Sequence, residues 1–198
     1  MATMRSTEPR TRRQRVLLAE LEELFLAEGF VSFTLDDLAA ELRCSKTTLY
    51  ALAPSKEQLA VKVVAHFFKG AAERIEAQVA DIDDAAAAVR TYLAGVSAEL
   101  DRASTAFMTD VETFEPARAV YALNSDAAAR RIRQFIADGV EQGVFRDTHA
   151  DAIAEMAGIL VEAIQSGVVG MRARTTDAEA FEALAELLLN GLRVGLSH

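Results

Sequence analysis

The chain has 198 residues; 51% of them are hydrophobic, only 3 are Pro and 10 are Gly, and Cys44 is the one cysteine. This composition favours an all-α protein with a sizeable core, and a lone cysteine excludes an intramolecular disulfide, which fits a reducing cytoplasm. The net charge of −9 does not exclude a nucleic-acid ligand, because residues 1–75 carry 11 Lys+Arg against 10 Asp+Glu while residues 76–198 carry 10 against 20.

The N-terminal segment, residues 1–11, is polar and has no hydrophobic periodicity. Arginines precede the first helix or lie in its first turns, at Arg5, Arg10, Arg12, Arg13 and Arg15. This pattern indicates either a solvated tail or a flexible basic arm that lies along the DNA backbone or in the minor groove. The following apolar run contains three glutamates and is no signal peptide, and nowhere does the chain offer the roughly 20 apolar residues of a membrane span.

Three helices are predicted next. The first, about Arg12 to Glu28, has one apolar stripe and ends at Gly29, a typical C-terminal cap. The spacing of Thr34 and Asp37 predicts a capping box that starts a short second helix. After a turn at 43–44, Ser45 is placed to cap a third helix of about two turns, over residues 46–50.

The third helix has few core side chains. Leu49 is apolar, whereas Lys46, Thr47, Thr48 and Tyr50 are left near an exposed helix N-terminus. Side chains of these types hydrogen-bond phosphates and base edges or contact a thymine methyl. Pro54 then ends the helix. Ser55 and Gln58 predict a second capping box, which starts a longer helix with Lys56 in its first turn, where a phosphate would be favoured.

The rest of the chain reads as further helices. One is marked by Val89, Leu93, Val96 and Leu100, a less regular stretch contains Pro116, and Ser125 with Asp126 is predicted to start another. A capping box at Thr148 and Asp151 and a helix from about Asp177 complete the chain. Leu187, Leu188 and Leu189 point around more than half of that last helix, so one core face cannot bury all three.

Aromatic and sulfur-containing side chains collect in the middle of the chain. They are either ordinary core or the lining of an apolar ligand cavity, and the sequence does not distinguish these two interpretations. The residues are Tyr92, Phe107, Met108, Phe114, Tyr121 and Phe135.

Four linked segments carry a family resemblance. LLAELEELFLAEGF, TLDDLAAEL, SKTTLY and PSKEQL occur in that order, and residues 12–60 resemble the DNA-binding domain of the TetR family of bacterial transcriptional regulators. Two departures are Arg43, where the family usually has Gly at a turn of positive φ, and Ala51-Leu52-Ala53, where it often has aromatic residues or His. We expect Arg43 to compensate as a phosphate ligand, and the Ala51-Leu52-Ala53 segment to remove a backbone contact and thin the packing beneath the third helix.

The resemblance implies an all-α fold of about nine helices, with an N-terminal three-helix helix-turn-helix domain and a larger C-terminal helical domain for ligand binding and dimerisation. The expected organisation is a basic arm at 1–11, the helix-turn-helix domain at 12–54, a linking helix at 55–75 and an effector-binding and dimerisation domain at 76–198. Helices about 148–172 and 177–196 would form the homodimer. The expected DNA-binding residues are Thr34, Arg43, Ser45, Lys46, Thr47, Thr48, Tyr50 and Lys56.

The function implied is that of a cytoplasmic homodimeric repressor, which binds a palindromic double-stranded DNA operator and is released by a small apolar or amphipathic effector. Effector-contacting residues are not identified, and no membrane contact or cofactor is expected. An activator of the same fold, and a helical dimer that acts through a protein partner, are the alternatives. The salt dependence of binding would distinguish a DNA-binding function from a function that depends on a protein partner.

Enzymatic motifs are lacking. There is no Ser/His/Asp or Cys/His set, no phosphate-cradling Gly loop and no metal-ligand spacing, so neither catalytic nor metal-binding residues are predicted. His66 with Glu73, or His149 with Asp151, is a weak metal candidate, and solvated or core histidines are favoured. Cys44 is read as a small buried group, with a redox sensor as the alternative.

Overall fold

The computed structural model describes residues 12–147 and 149–192, and these residues form ten α-helices and no β-strand. The helices are α1 (Arg12–Glu28), α2 (Leu35–Glu41), α3 (Lys46–Tyr50), α4 (Lys56–Val79), α5 (Ala85–Leu100), α6 (Thr105–Thr113), α7 (Glu115–Glu141), α8 (Ala150–Gln165), α9 (Val168–Ala173) and α10 (Asp177–Leu192). The all-α prediction is confirmed. In the described part of the chain, no helix is both long and apolar enough to cross a membrane.

Two hydrophobic cores organise these helices. The first joins α1–α4 to α6 and the start of α7, with Leu18, Leu49 and Phe67 packed in one cluster with Phe107 and Tyr121. The second is built from the end of α4 with α5, α7, α8 and α10. The N-terminal helices therefore do not pack as an isolated three-helix unit, because α6 and α7 complete their core.

Helix α6 is tied to the end of α1 by polar contacts as well. Gly29 caps α1 at φ +78°, and the chain beyond it turns so that the backbone N–H groups of Phe30 and Val31 both donate to Asp110 Oδ2, at 2.5 and 2.8 Å. The Ser104 N–H donates to the Leu26 carbonyl at 2.8 Å. We call the two hydrogen bonds that Asp110 accepts from Phe30 and Val31 the Asp110 clamp. It links the C-terminal part of the chain to the loop that leads into α2.

An arginine network supports the same junction. Glu99 of α5 accepts from Arg74 of α4 at 2.6 Å and from Arg102 at 2.7 Å, and Arg102 also reaches Glu23 of α1 at 3.2 Å. These hydrogen bonds hold the pKa of Glu99 below its usual range, with Arg74 as the largest cause. The carboxylate therefore stays ionised and joins three segments.

Helix α7 differs from the prediction. Ser125 and Asp126 do not start a helix: they lie inside α7, which runs without a break from Glu115, and the Ser125 hydroxyl donates to the Tyr121 carbonyl four residues earlier. Pro116 lies in the first turn of α7, where its missing N–H costs nothing. The short helix α9 is separate from α8, because Gly167, at φ +71°, follows the end of α8. The described residues therefore form ten helices, where about nine were expected.

The two C-terminal helices expected at the dimer interface leave apolar side chains exposed. Of the three consecutive leucines of α10, Leu188 and Leu189 are buried and Leu187 is 60% exposed. On α8, Met156 and Ile159 are 53% and 63% exposed. The prediction that one face cannot bury all three leucines is confirmed. Thr148 lies outside the described residues, and α8 has His149 at its N-cap position, in the left-handed conformation.

Candidate DNA-binding surface and internal cavity

The start of α2 is built as the sequence predicts. The Asp37 N–H donates to Thr34 Oγ1 at 3.2 Å, and the Thr34 N–H donates to Asp37 Oδ2 at 2.8 Å, so both bonds of the capping box form. Hydrogen bonds from the Thr34 side chain and backbone lower the pKa of Asp37. Thr34 is exposed, and its hydroxyl already has a hydrogen-bond partner in the free protein.

The turn between α2 and α3 is a Schellman motif with an arginine at its left-handed position. Arg43 has φ +48°, its N–H donates to the Ala40 carbonyl at 3.2 Å, and the Cys44 N–H donates to the Ala39 carbonyl at 2.9 Å. The Arg43 side chain is exposed. A non-Gly residue here costs roughly 1 kcal/mol in backbone energy. The predicted positive φ at this position is thus observed.

Helix α3 presents a polar outer face. Ser45 caps it by accepting from the Thr48 N–H at 3.2 Å, Leu49 is fully buried, and Thr47 and Tyr50 are exposed, Tyr50 by 49%. The Thr48 and Ser45 hydroxyls lie 2.9 Å apart, which orients both side chains on the surface. One buried side chain thus anchors the helix, and Thr47 and Tyr50 on its outer face remain exposed.

The two predicted lysines are both engaged in the free protein. Lys46 Nζ lies 2.7 Å from Asp36 Oδ1 in an exposed ion pair, which raises the pKa of Lys46. Lys56 Nζ donates to the Val31 carbonyl at 2.7 Å, so this lysine supports the loop before α2. Contact of Lys46 with a phosphate would require it to leave Asp36, an exchange that costs little between exposed groups.

The second departure from the family pattern has a structural role. Leu52 and Ala53 are buried, at 6% and 7% exposure, in the first core, and Ala51 is the exposed C-cap of α3. The Lys62 ammonium donates to the Leu52 carbonyl, which lies two residues beyond the end of α3. The segment therefore packs beneath α3 through Leu52. Cys44 is partly buried, and burial raises the pKa of its thiol, which does not favour a reactive thiolate.

Neither metal candidate is assembled. His66 Nδ1 lies 2.5 Å from Glu22 Oε2 of α1, and its predicted partner Glu73 instead lies beside Lys69. Among the described residues, no group of three or more His, Cys, Asp or Glu side chains is placed to hold a metal ion.

The aromatic side chains divide between the two cores. Phe107 packs edge-on against Phe30 and Phe67, whereas Tyr92 packs edge-on against Phe135 in the second core. Most of the set is therefore ordinary core.

A cavity of about 110 Å³ nevertheless lies between the cores, bounded by α4, α5, α7 and the end of α8. Phe68 and Tyr121, stacked with ring centroids 4.9 Å apart, and Tyr92 contribute its aromatic wall.

Two structural features were not predicted from the sequence. Asp110 lies 80 residues from its partner Phe30, and Gln165, on the cavity wall, lies in an apolar helix whose pattern indicates core. No local pattern marks either residue, because each acts through segments far away in the chain.

Comparison with known proteins agrees with this geometry. Residues 17–63 match the family described as bacterial regulatory proteins, tetR family. An HTH-type transcriptional regulator of Bacillus subtilis (strain 168), YvaF, is 53% identical over 51 residues, which is 26% of this chain and 26% of that protein. The chain thus matches only about a quarter of the length of this relative.

Solved structures extend the similarity to the whole fold. A transcriptional regulator from Saccharomonospora viridis, in complex with choline, has a TM-score of 0.72 and 21% identity, over 94% of this chain and 100% of that one. PfmR, a TetR family transcriptional regulator from Thermus thermophilus, has a TM-score of 0.61 and 24% identity, over 92% and 99%. Residues 17–63 therefore carry the helix-turn-helix of the TetR family of bacterial regulatory proteins, and the solved structures show the same overall fold for the chain.

Proposed function

We propose that the protein is a cytoplasmic, homodimeric, non-enzymatic repressor that binds a palindromic operator and releases it when a small molecule binds. The observation that carries the DNA-binding part is α3, which is anchored by the fully buried Leu49 and presents Thr47 and Tyr50 outward. Lys46, Thr47 and Thr48 would contact base edges and nearby phosphates, while Thr34, Ser45, Tyr50 and Lys56 would contact phosphates. Arg43 would add a phosphate contact from its exposed turn.

Dimerisation through α8 and α10 would place two copies of α3 on one face of DNA. The exposed Met156, Ile159 and Leu187 lie on these two helices, and their burial against a second copy would remove a large apolar area from water. An isologous interface of this kind produces a four-helix bundle, and half-sites would be separated by one helical turn or more, roughly 34–36 Å.

The effector would act by favouring a dimer whose α3 helices are spaced wrongly for DNA. The cavity touches α4, which is continuous from the end of the helix-turn-helix to Val79 and passes Gly70 without a break. The choline complex of the Saccharomonospora viridis neighbour supports a small-molecule effector in this fold. A 100-fold preference for one state corresponds to about 2.7 kcal/mol of coupling per site.

Selection of duplexes from a random DNA pool by the purified protein tests the DNA-binding part. A palindrome should emerge for the wild type and be lost for Thr48→Ala and Tyr50→Ala, because each removes a group from the exposed face of α3. Affinity for the selected site should fall steeply with salt, since several phosphates are contacted. No enrichment at low salt would refute the proposal and direct the search to a protein partner.

Sedimentation tests the dimer. Ile159→Glu and Leu187→Glu should each shift the protein toward monomer, because each buries a charge in an apolar interface. Val16→Glu is the matched control, since Val16 is 51% exposed but lies on α1. Dimers that persist in both α8 and α10 variants would contradict this interface.

A further inference from the structure

Among the described residues that line the cavity between the two cores, one has a fully buried polar atom without a hydrogen-bond partner. Gln165, the last residue of α8, is 7% exposed and lies on the cavity wall. Its Oε1 atom is buried and accepts no hydrogen bond from any residue that the structure describes. Buried polar atoms in native proteins nearly always have a partner, so an exception on the wall of a cavity indicates a missing donor.

The charged groups at the rim of the cavity are already neutralised. Glu99 is paired with Arg74 and Arg102, and Glu76 is paired with Arg131 at 3.1 Å. Each carboxylate therefore has at least one arginine beside it, and no uncompensated negative charge is left to attract a cation. The remaining wall is largely apolar and aromatic, with Phe67, Phe68 and Tyr92 among its residues, and Asn124 adds one uncharged polar side chain.

We propose that this cavity binds a small neutral molecule with an apolar body and one O–H or N–H group, which donates to Gln165 Oε1. The volume of about 110 Å³ limits the body to one ring at most, because it is smaller than the apolar cavity of about 150 Å³ that holds benzene. This inference rests on the proposed function in one respect, that the occupant is the effector.

A ligand bound at Gln165 would contact both the helix that continues from the helix-turn-helix and a helix of the proposed dimer interface. The apolar body would contact Phe68 and Ala71 of α4, the helix that continues from the helix-turn-helix, while the donor would contact the end of α8, the helix with the exposed Met156 and Ile159. One ligand therefore bridges the helix attached to the DNA-binding domain and the helix proposed for the dimer interface.

Phenol and toluene are matched probes, because they have the same shape and differ in one donor. Binding of each to the full-length protein, without DNA, is measured by calorimetry for the wild type and for Gln165→Leu. We expect the ratio of phenol affinity to toluene affinity to fall about fivefold or more in Gln165→Leu, since one hydrogen bond is lost. The variant should melt no lower than the wild type, because leucine removes an unpaired buried acceptor.

Two controls complete the experiment. Ala128→Leu places a larger side chain at a buried wall position and should abolish binding of both probes; Ala71→Val is the smaller substitution to use if Ala128→Leu does not fold. Tetramethylammonium, a cation without a donor, should not bind. An unchanged phenol-to-toluene ratio in Gln165→Leu, no binding of either neutral probe to the wild type, or preferred binding of tetramethylammonium would each overturn the proposal. None of these results depends on DNA, so failure here leaves the DNA-binding proposal standing.

Discussion

Alanine substitution at two glycines with left-handed backbone conformations distinguishes the stabilisation by the Asp110 clamp from the cost of backbone strain. Gly29 has φ +78°, and a Cβ added there would lie 2.6 Å from Asp110 Oδ2 and 3.3 Å from the carbonyl carbon and oxygen of Ala106. Gly143 has φ +71°, and an added Cβ would meet nothing within 4 Å. The same substitution to alanine therefore strains the backbone at both sites but displaces the clamp at only one.

The expected losses in free energy of unfolding for the two substitutions differ by the contribution of the Asp110 clamp. Alanine in the left-handed conformation costs about 1 kcal/mol at either position. Gly29→Ala also pushes away Asp110, whose carboxylate accepts from the N–H groups of Phe30 and Val31. One of these hydrogen bonds is partly buried and the other is exposed, so we take about 2 kcal/mol for the pair. The expected losses in free energy of unfolding are about 3 kcal/mol for Gly29→Ala and about 1 kcal/mol for Gly143→Ala.

Thermal unfolding at one protein concentration measures this difference, since the melting temperature would depend on concentration if the protein forms the proposed dimer. For a chain of this size, Gly143→Ala should lower Tm by about 2–4 °C and Gly29→Ala by about 6–12 °C. Asp110→Ala combined with Gly29→Ala should cost less than the sum of the two, because both remove the same contact. Equal losses for the two glycine variants would refute the assigned role of the clamp.

Three further predictions concern charged groups. Arg43→Gly should raise the free energy of unfolding by less than about 1 kcal/mol by relieving the left-handed backbone, and should weaken operator binding while making it less salt-dependent, as measured by fluorescence anisotropy. Asp36→Asn should tighten operator binding severalfold with no measurable change in Tm, because it frees Lys46 from an exposed ion pair. Burial raises the pKa of Asp177 to about 6, so its charged form is destabilised in the folded state. Stability contributed by this group should be lost as pH rises from about 4 to about 6, and Asp177→Asn should raise Tm more at pH 7.5 than at pH 4.5.

A specific experimental result would contradict each of these three predictions. Unchanged affinity and salt dependence in Arg43→Gly would remove Arg43 from the interface with DNA. Weaker binding in Asp36→Asn would mean that the ion pair positions Lys46 for DNA; Asp83→Asn, an exposed change in the second part of the chain, is the control. The same Tm gain for Asp177→Asn at both pH values would show that the carboxylate does not titrate in this range.

The helix-turn-helix was predictable because its signals are local. The Thr34–Asp37 capping box, the Ser45 cap and the Gly29 terminus each involve groups no more than four residues apart, and all three form as predicted. The positive φ of Arg43 was likewise predictable from the turn. Where local chemistry was ambiguous, prediction failed: Ser125 is as able to bond the carbonyl of Tyr121 inside a helix as to cap a new one, and continuous packing of α7 against its neighbours decides for the former.

By itself, the sequence determined an all-α chain with a TetR-type helix-turn-helix, since caps, turns and helical periodicity depend on neighbouring residues. Only the tertiary structure decided that α6 and α7 complete the core of the N-terminal helices, that Asp110 clamps the α1–α2 loop, and that Gln165 is left unpaired beside a cavity. These features arise from contacts between residues up to 80 positions apart, and a cavity forms where distant side chains fail to meet, which no local pattern encodes.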